Sequence, residues 1–345
     1  MKGSNYFRFS LVLAALILQI TINGSIGCGG GTTTTGSTGC TDCDFFVVEN
    51  FDGTADAGKL SRVDPSVPSK ETVVSGLTNP IDFVVATSSY GYLSACPGAL
   101  DGTSGGQVWR VDFETNTKVT VADTTSLVCP KGIDVQANIT GTNYGCSATV
   151  QDVVLIADEG PTDGGTIWAL CVTDAELHGI VASSVLENPR GVAFQSESVF
   201  VAVGKQPSDS TVGGLTQYNV ATLTADLLSD SNSCLGATCY SSNLKDMTID
   251  SNGSILIVDA NLTGVDGMIF RHVSGTGTAL VQDGLDNPRD ILPTGKENYP
   301  YFITEYTQGS VMNCPLLTGL STSTCSNLLG SSVSLDHPEG IADVP

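Results

Sequence analysis

One phrase recurs along this chain of 345 residues: LTNPIDFVV from Leu77, VCPKGIDV from Val128, LENPRGVAF from Leu186, LDNPRDIL from Leu285 and LDHPEGIAD from Leu335. A sixth copy, NLKDMTID from Asn243, keeps the apolar rhythm with Leu244 in the place of proline. The anchors Pro80, Pro130, Pro189, Leu244, Pro288 and Pro338 are spaced by 50, 59, 55, 44 and 50 residues. A period of that size means radially repeated sheets rather than one layered domain.

Each unit reads as four strands. Three residues past the anchors stand Phe83, Ile133, Val192, Met247, Ile291 and Ile341, apolar in every copy, as a buried innermost strand (a) demands. A second β-rich run (b) follows, such as DVVLIAD from Asp152 or SILIVDA from Ser254. Gly58, Gly106, Gly165, Gly214, Gly267 and Gly309 then open an amphipathic third strand (c), and runs such as TKVTVAD from Thr117 close the unit (d). No helical period interrupts the series. Residues 44–76 supply b, c and d without an a, and residues 338–345 supply only an a. Joined, they complete a sixth unit and remove the open edge that would invite aggregation. The sequence predicts an all-β, six-bladed β-propeller over residues 44–345, one domain.

The phrase PRGVAF at 189–194, PEGIAD at 338–343 and IVDAN at 257–261 resembles the NHL-repeat and SMP-30/strictosidine-synthase-like propellers, TolB-like in architecture. The resemblance covers the chain after residue 43 and implies the same six-bladed fold. Such folds host lyases, lactonases, hydrolases and pure binding modules, so it implies no single activity.

Ahead of the repeats, Lys2 and Arg8 supply a positive n-region and Phe9 to Ile22 a short apolar h-region. Ser25-Ile26-Gly27-Cys28 then resembles the lipobox of bacterial lipoproteins, which implies a signal peptide over 1–27 and a lipid on Cys28. A Gly/Thr-rich tether over 28–43 follows. Plain cleavage after Gly27, giving a secreted soluble protein, is the alternative. Of eleven cysteines, ten remain once Cys28 is assigned to lipid, an even number that can pair in an oxidising compartment. Near neighbours suggest local staples: Cys40 with Cys43, Cys96 with Cys129, Cys146 with Cys171, Cys234 with Cys239 and Cys314 with Cys325.

A formal net charge of −22 argues against nucleic acid and against electrostatic docking on anionic lipid. Membrane contact is expected only through the lipid, the partner is an unidentified ligand or envelope protein, and the chain is expected to be monomeric.

In a propeller, equivalent positions become rings around the central channel. Immediately after the anchors stand Ile81, Lys131, Arg190, Lys245, Arg289 and Glu339; next come Asp82, Gly132, Gly191, Asp246, Asp290 and Gly340. Arg190, Arg289 and Glu339 are the candidate ligand-binding residues. Asp82, Asp246 and Asp290 stand where the repeat has glycine, and oxygen ligands from separate blades are what calcium takes, so they are candidate metal ligands. Each could instead cap a turn or pair with a basic neighbour. A further acidic register ends strand b, with Glu49, Asp158, Asp259 and Glu305, and is expected to hold a loop by accepting backbone N–H bonds. The leading expectation is a binding or scaffold module, the alternative a calcium-dependent hydrolase or lactonase of the SMP-30/gluconolactonase type.

Overall fold

The structure, a computed structural model, describes residues 44–344 apart from 52–55, 98–104, 125, 161–163, 182–185, 207–208, 231–239, 261–266, 297–298, 316–324 and 332. These residues form six antiparallel four-stranded sheets. The inner strands are Pro338–Asp343, Pro80–Val85, Pro130–Thr140, Glu187–Ser196, Leu244–Ile249 and Pro288–Lys296, taken from the first blade to the sixth. Each packs against the inner strands of both neighbours, and the sixth returns to the first. The chain is a six-bladed β-propeller. Its closure is the expected one, with Phe45, Phe46 and Val47 of the N-terminal strand paired antiparallel to Asp343, Ala342 and Ile341.

Strands b are buried along their whole length in the first and fifth blades, Phe45–Glu49 and Ile255–Asp259. That is why they read as apolar runs rather than alternations. The core lies between blades, not within one. Phe46 of the first blade, for example, meets Phe83 and Phe113 of the second at centroid separations of 5.4 and 4.8 Å.

The anchor prolines and the blade glycines meet at four of the six junctions, while Gly309 faces Leu335 O instead of Pro338. Asn79, Asn188, Asn287 and His337 precede their anchors with φ of 49, 42, 52 and 47°, the left-handed region that asparagine tolerates better than most residues. The proline ring meets the preceding blade after the turn at Pro80, Pro189 and Pro288, and without it at Pro130. A Cβ on Gly58, Gly106 or Gly267 would collide with Cδ of Pro80, Pro130 or Pro288, and one on Gly165 would lie 2.7 Å from Cδ of Pro189. Where Leu244 replaces proline, the glycine that a side chain would push into Ser241 O and Leu244 Cδ1 is Gly213 rather than Gly214.

Three of the five expected staples are present: Cys96–Cys129 links the second blade to the residue before the third blade's anchor, Cys146–Cys171 lies within the third, and Cys314–Cys325 within the sixth. Cys28, Cys40, Cys43, Cys234 and Cys239, with the expected signal peptide and tether, lie outside the described residues. Disulfides persist in oxidising compartments, so the three bonds mark an exported protein.

Candidate ligand site at the channel mouth

Every anchor carries a β-bulge. In all six blades the ladder between strands a and b slips there, for instance between Pro80 and Asp82 in the second blade and between Leu244 and Asp246 in the fifth. A bulged residue leaves the ladder and its side chain is re-aimed. Hence Ile81, Lys131, Arg190, Lys245, Arg289 and Glu339, one from each blade, line a single cavity of about 50 Å³, together with Asp82, Asp246 and Asp290. The two registers singled out in the sequence converge on the propeller axis.

The upper register is mostly cationic. Glu159, at the end of the third blade's strand b, binds Arg190 Nη2 and lies 3.7 Å from Lys131 Nζ. Glu339 Oε2 stands 3.6 Å from Arg289 Nε, too far for a hydrogen bond, and the Arg289 guanidinium lies 4.3 Å over the Tyr306 ring. Burial, then the charges of Arg289 and Arg190, push the Lys245 ammonium down to about 7. Burial lowers Lys131 too, with Glu159 opposing.

The aspartates below divide into two kinds. Asp82 Oδ1 accepts the N–H of Phe83 at 2.7 Å, and Oδ2 accepts the N–H of Ile133 on the next blade at 2.8 Å. Ser94, beside it on strand b, accepts the Asp82 N–H at 3.2 Å and donates to the Lys131 carbonyl at 2.9 Å. Asp290 and Thr304 repeat this at the closing junction. The carboxylate accepts from Ile291 at 2.6 Å and Ile341 at 2.7 Å, and the hydroxyl accepts from Asp290 N–H at 3.0 Å and donates to the Glu339 carbonyl at 2.8 Å. Each pair is a clamp that joins one inner strand to the next through a peptide N–H and a carbonyl.

Asp246 differs. Its Oδ1 accepts the Met247 N–H at 2.7 Å, Val258 occupies the strand-b position of the hydroxyl, and its carboxyl hydrogen-bonds the Asp290 carboxyl instead of a peptide. Because both Asp290 oxygens already accept N–H groups, the hydrogen between the two carboxyls belongs on Asp246, and burial, then the charges of Asp290 and Asp82, raise Asp246 well above the carboxylate range. Burial, then the charge of Asp290, likewise raises Asp82. Asp290 is raised to about 6 by burial, with the N–H bonds from Ile341 and Ile291 opposing. One oxygen from each of the three lies within 4.8 Å of the others.

The strand-b acids hold loops, as expected. Asp158 accepts the N–H groups of Val128 and Cys129, Glu305 that of Asp286, Glu49 that of Asp336, and Asp259 that of Ser241. Each fixes the segment leading into its own blade's anchor. Lys131 and Lys245 belong to the site although the sequence reading did not choose them; their place in the anchor register is the signal. Asp134 is a clamp outside the register. Its Oδ1 accepts from Val135 and its Oδ2 from Phe194 on the next blade, both at 2.7 Å, and burial lifts it to about 6.

Fold and site together define a six-bladed propeller with a charged axial mouth. Solved structures agree on the fold. The chain is similar to the periplasmic gluconolactonase PpgL of Pseudomonas aeruginosa (11% identity, 88% of this chain and 99% of that one, TM-score 0.54). It is similar also to a putative 6-phosphogluconolactonase of Bacteroides uniformis (10% identity, 87% and 99%, TM-score 0.53). With TolB of Acinetobacter baumannii it shares 12% identity and a TM-score of 0.50 over 80% of this chain, spanning 62% of TolB's length. Identities this low carry the architecture and no activity. No protein-family model and no curated protein matches the sequence.

Proposed function

We propose that this chain is a binding module of the bacterial envelope, anchored by a lipid on Cys28, that recognises its ligand at the channel-mouth face. The observation that carries this reading is the convergence of Arg190, Arg289 and Glu339, with Lys131 and Lys245, on one axial cavity. Charged side chains are costly to gather away from water unless they have work to do there. The strand-b acids are occupied: Glu49, Asp158, Asp259 and Glu305 hold loops.

A second reading, the calcium-dependent hydrolase or lactonase, has one observation in its favour: Asp82, Asp246 and Asp290 bring three carboxylate oxygens within 4.8 Å of one another. The donor type suits calcium, although the oxygens of Asp82 and Asp290 already accept peptide N–H groups. Melting curves with calcium and with chelator, beside a panel of sugar lactones, separate the two. The binding module predicts no calcium-dependent shift and no turnover. A shift that Asp246→Asn removes, together with lactone hydrolysis, would transfer the function to the second reading. The anchor is tested on the same protein, since Cys28→Ser should abolish partition into a detergent phase, and unchanged partition would remove the lipid.

A further inference from the structure

We propose that the group bound at the channel mouth is a tetrahedral oxyanion, a phosphate either free or terminal on a small phosphate monoester, held by Lys131, Arg190, Lys245 and Arg289. The inference rests on the mouth being the recognition site and names the chemistry it takes.

The first argument is placement. The chain has 14 lysines and arginines against 36 acids, yet four of the basic residues, from four consecutive blades, line one small cavity. A chain with so few cations would spread them among its acids if solubility were their only use. Their side chains are about four-fifths buried in the case of Lys131 and Arg289, with 20 and 21% exposure, so their mutual repulsion is poorly screened by water.

The second argument is incomplete pairing. Glu159 is shared between Lys131 and Arg190. The Arg289 Nε–H is buried with no hydrogen-bond acceptor, Glu339 standing at 3.6 Å. Among the described residues Lys245 makes no hydrogen bond or ion pair. A buried guanidinium N–H and an ammonium without acceptors are donors awaiting oxygen atoms. The acids beneath do not meet that need, because Asp82 and Asp290 are turned to peptide N–H groups and Asp246 to Asp290.

The third argument is direction. Donors arriving from the third, fourth, fifth and sixth blades approach the axis from different sides. A tetrahedral ion offers oxygens in several directions, whereas a planar carboxylate offers two in one plane and is matched by a single guanidinium fork. About 50 Å³ suits such a headgroup and leaves the remainder of a monoester outside.

Calorimetry and melting curves of the full chain with inorganic phosphate, phenyl phosphate, acetate and chloride, at matched ionic strength, test this. Phosphate or phenyl phosphate should bind in a one-to-one ratio and raise the melting temperature, with acetate and chloride giving little. Lys245→Met should weaken the binding about tenfold or more. The same substitution should leave the ligand-free melting temperature equal or higher, because it removes a repelling charge, and Arg289→Lys should retain part of the binding. Phosphate alone would identify the free ion and comparable phenyl phosphate binding a terminal group; either supports the proposal. Binding no stronger than chloride, or unchanged in Lys245→Met, would overturn it. If phosphate and phenyl phosphate both fail to bind, the oxyanion assignment alone is wrong, and the calcium and lactone measurements above decide separately between the two readings of the site.

Discussion

Asp82 and Asp246 occupy the same register on inner strands three blades apart, follow the same kind of bulge, and are both buried, yet they do different work. Asp82 spends both oxygens on peptide N–H groups, one of them on the neighbouring blade, and Asp290 does the same at the closure. Asp246 finds no free N–H across its junction, because the Ile291 N–H is already taken by Asp290. The strand-b neighbour differs in step, Ser94 and Thr304 against Val258. Two aspartates are therefore joints of the ring and the third is a guest of one of them. A register fixes where a side chain points; the adjacent blade decides what it does there.

The largest effects should come from removing the joints. Asp82→Ala strands two buried N–H donors, and Asp290→Ala strands two N–H donors and the Asp246 carboxyl, at about 1–3 kcal/mol per donor, for a total on the order of 2–6 kcal/mol at 82 and more at 290. Asp246→Ala strands only the Met247 N–H and should cost about 1–3 kcal/mol. Chemical denaturation measures all three. Equal losses at 82 and 246 would dissolve the distinction between joint and guest.

The hydroxyl arms come next. Ser94→Ala and Thr304→Val each remove a donor to a neighbouring blade's carbonyl and an acceptor for an aspartate N–H, which costs about 1–2 kcal/mol. Each should be non-additive with its own aspartate, with which it shares a hydrogen bond. Additivity within a clamp would mean that carboxylate and hydroxyl act independently.

The blade plan was legible in the sequence because each of its marks has a local cause. At four junctions the anchor proline and the opening glycine answer one tight contact, such as Pro80 against Gly58, and at the closing junction the glycine answers Leu335 O instead. The bulge could not be read, since it is a mismatch between two strands and neither shows it alone. What followed from it, the meeting of Arg190, Arg289 and Glu339, was recoverable only because the bulge falls at the anchor in every blade. The duties of the aspartates were hidden for a different reason. Whether Asp82 is a clamp depends on the N–H of Ile133, 51 residues away on another blade. Asp134 escaped notice on the same ground: its partner Phe194 lies 60 residues on, and it stands two places beyond the register that draws the eye.

The smallest effect should be the most discriminating. Asn has one acceptor and one donor, the hydrogen-bonding pattern of a protonated aspartic acid. At 246 that pattern fits, because the amide oxygen can accept from Met247 while the amide nitrogen donates to Asp290. At 82 or 290 it does not, because both oxygens accept and an amide nitrogen would face a peptide N–H. Asp246→Asn should thus be neutral or slightly stabilising at pH 8, whereas Asp82→Asn costs about 1–3 kcal/mol. The pH dependence follows from the same proton. Asp246 and Asp290 are both raised above the usual 3.8 by burial. Their contribution is then complete below the unfolded value and declines as pH rises through about 6, the value of Asp290, and beyond. The wild-type protein should melt higher at pH 5 than at pH 8, and Asp246→Asn should narrow that gap, since an amide donates to Asp290 at every pH. A gap of unchanged width would show that Asp246 holds no proton for its neighbour, and the guest would have to be reread as a third joint.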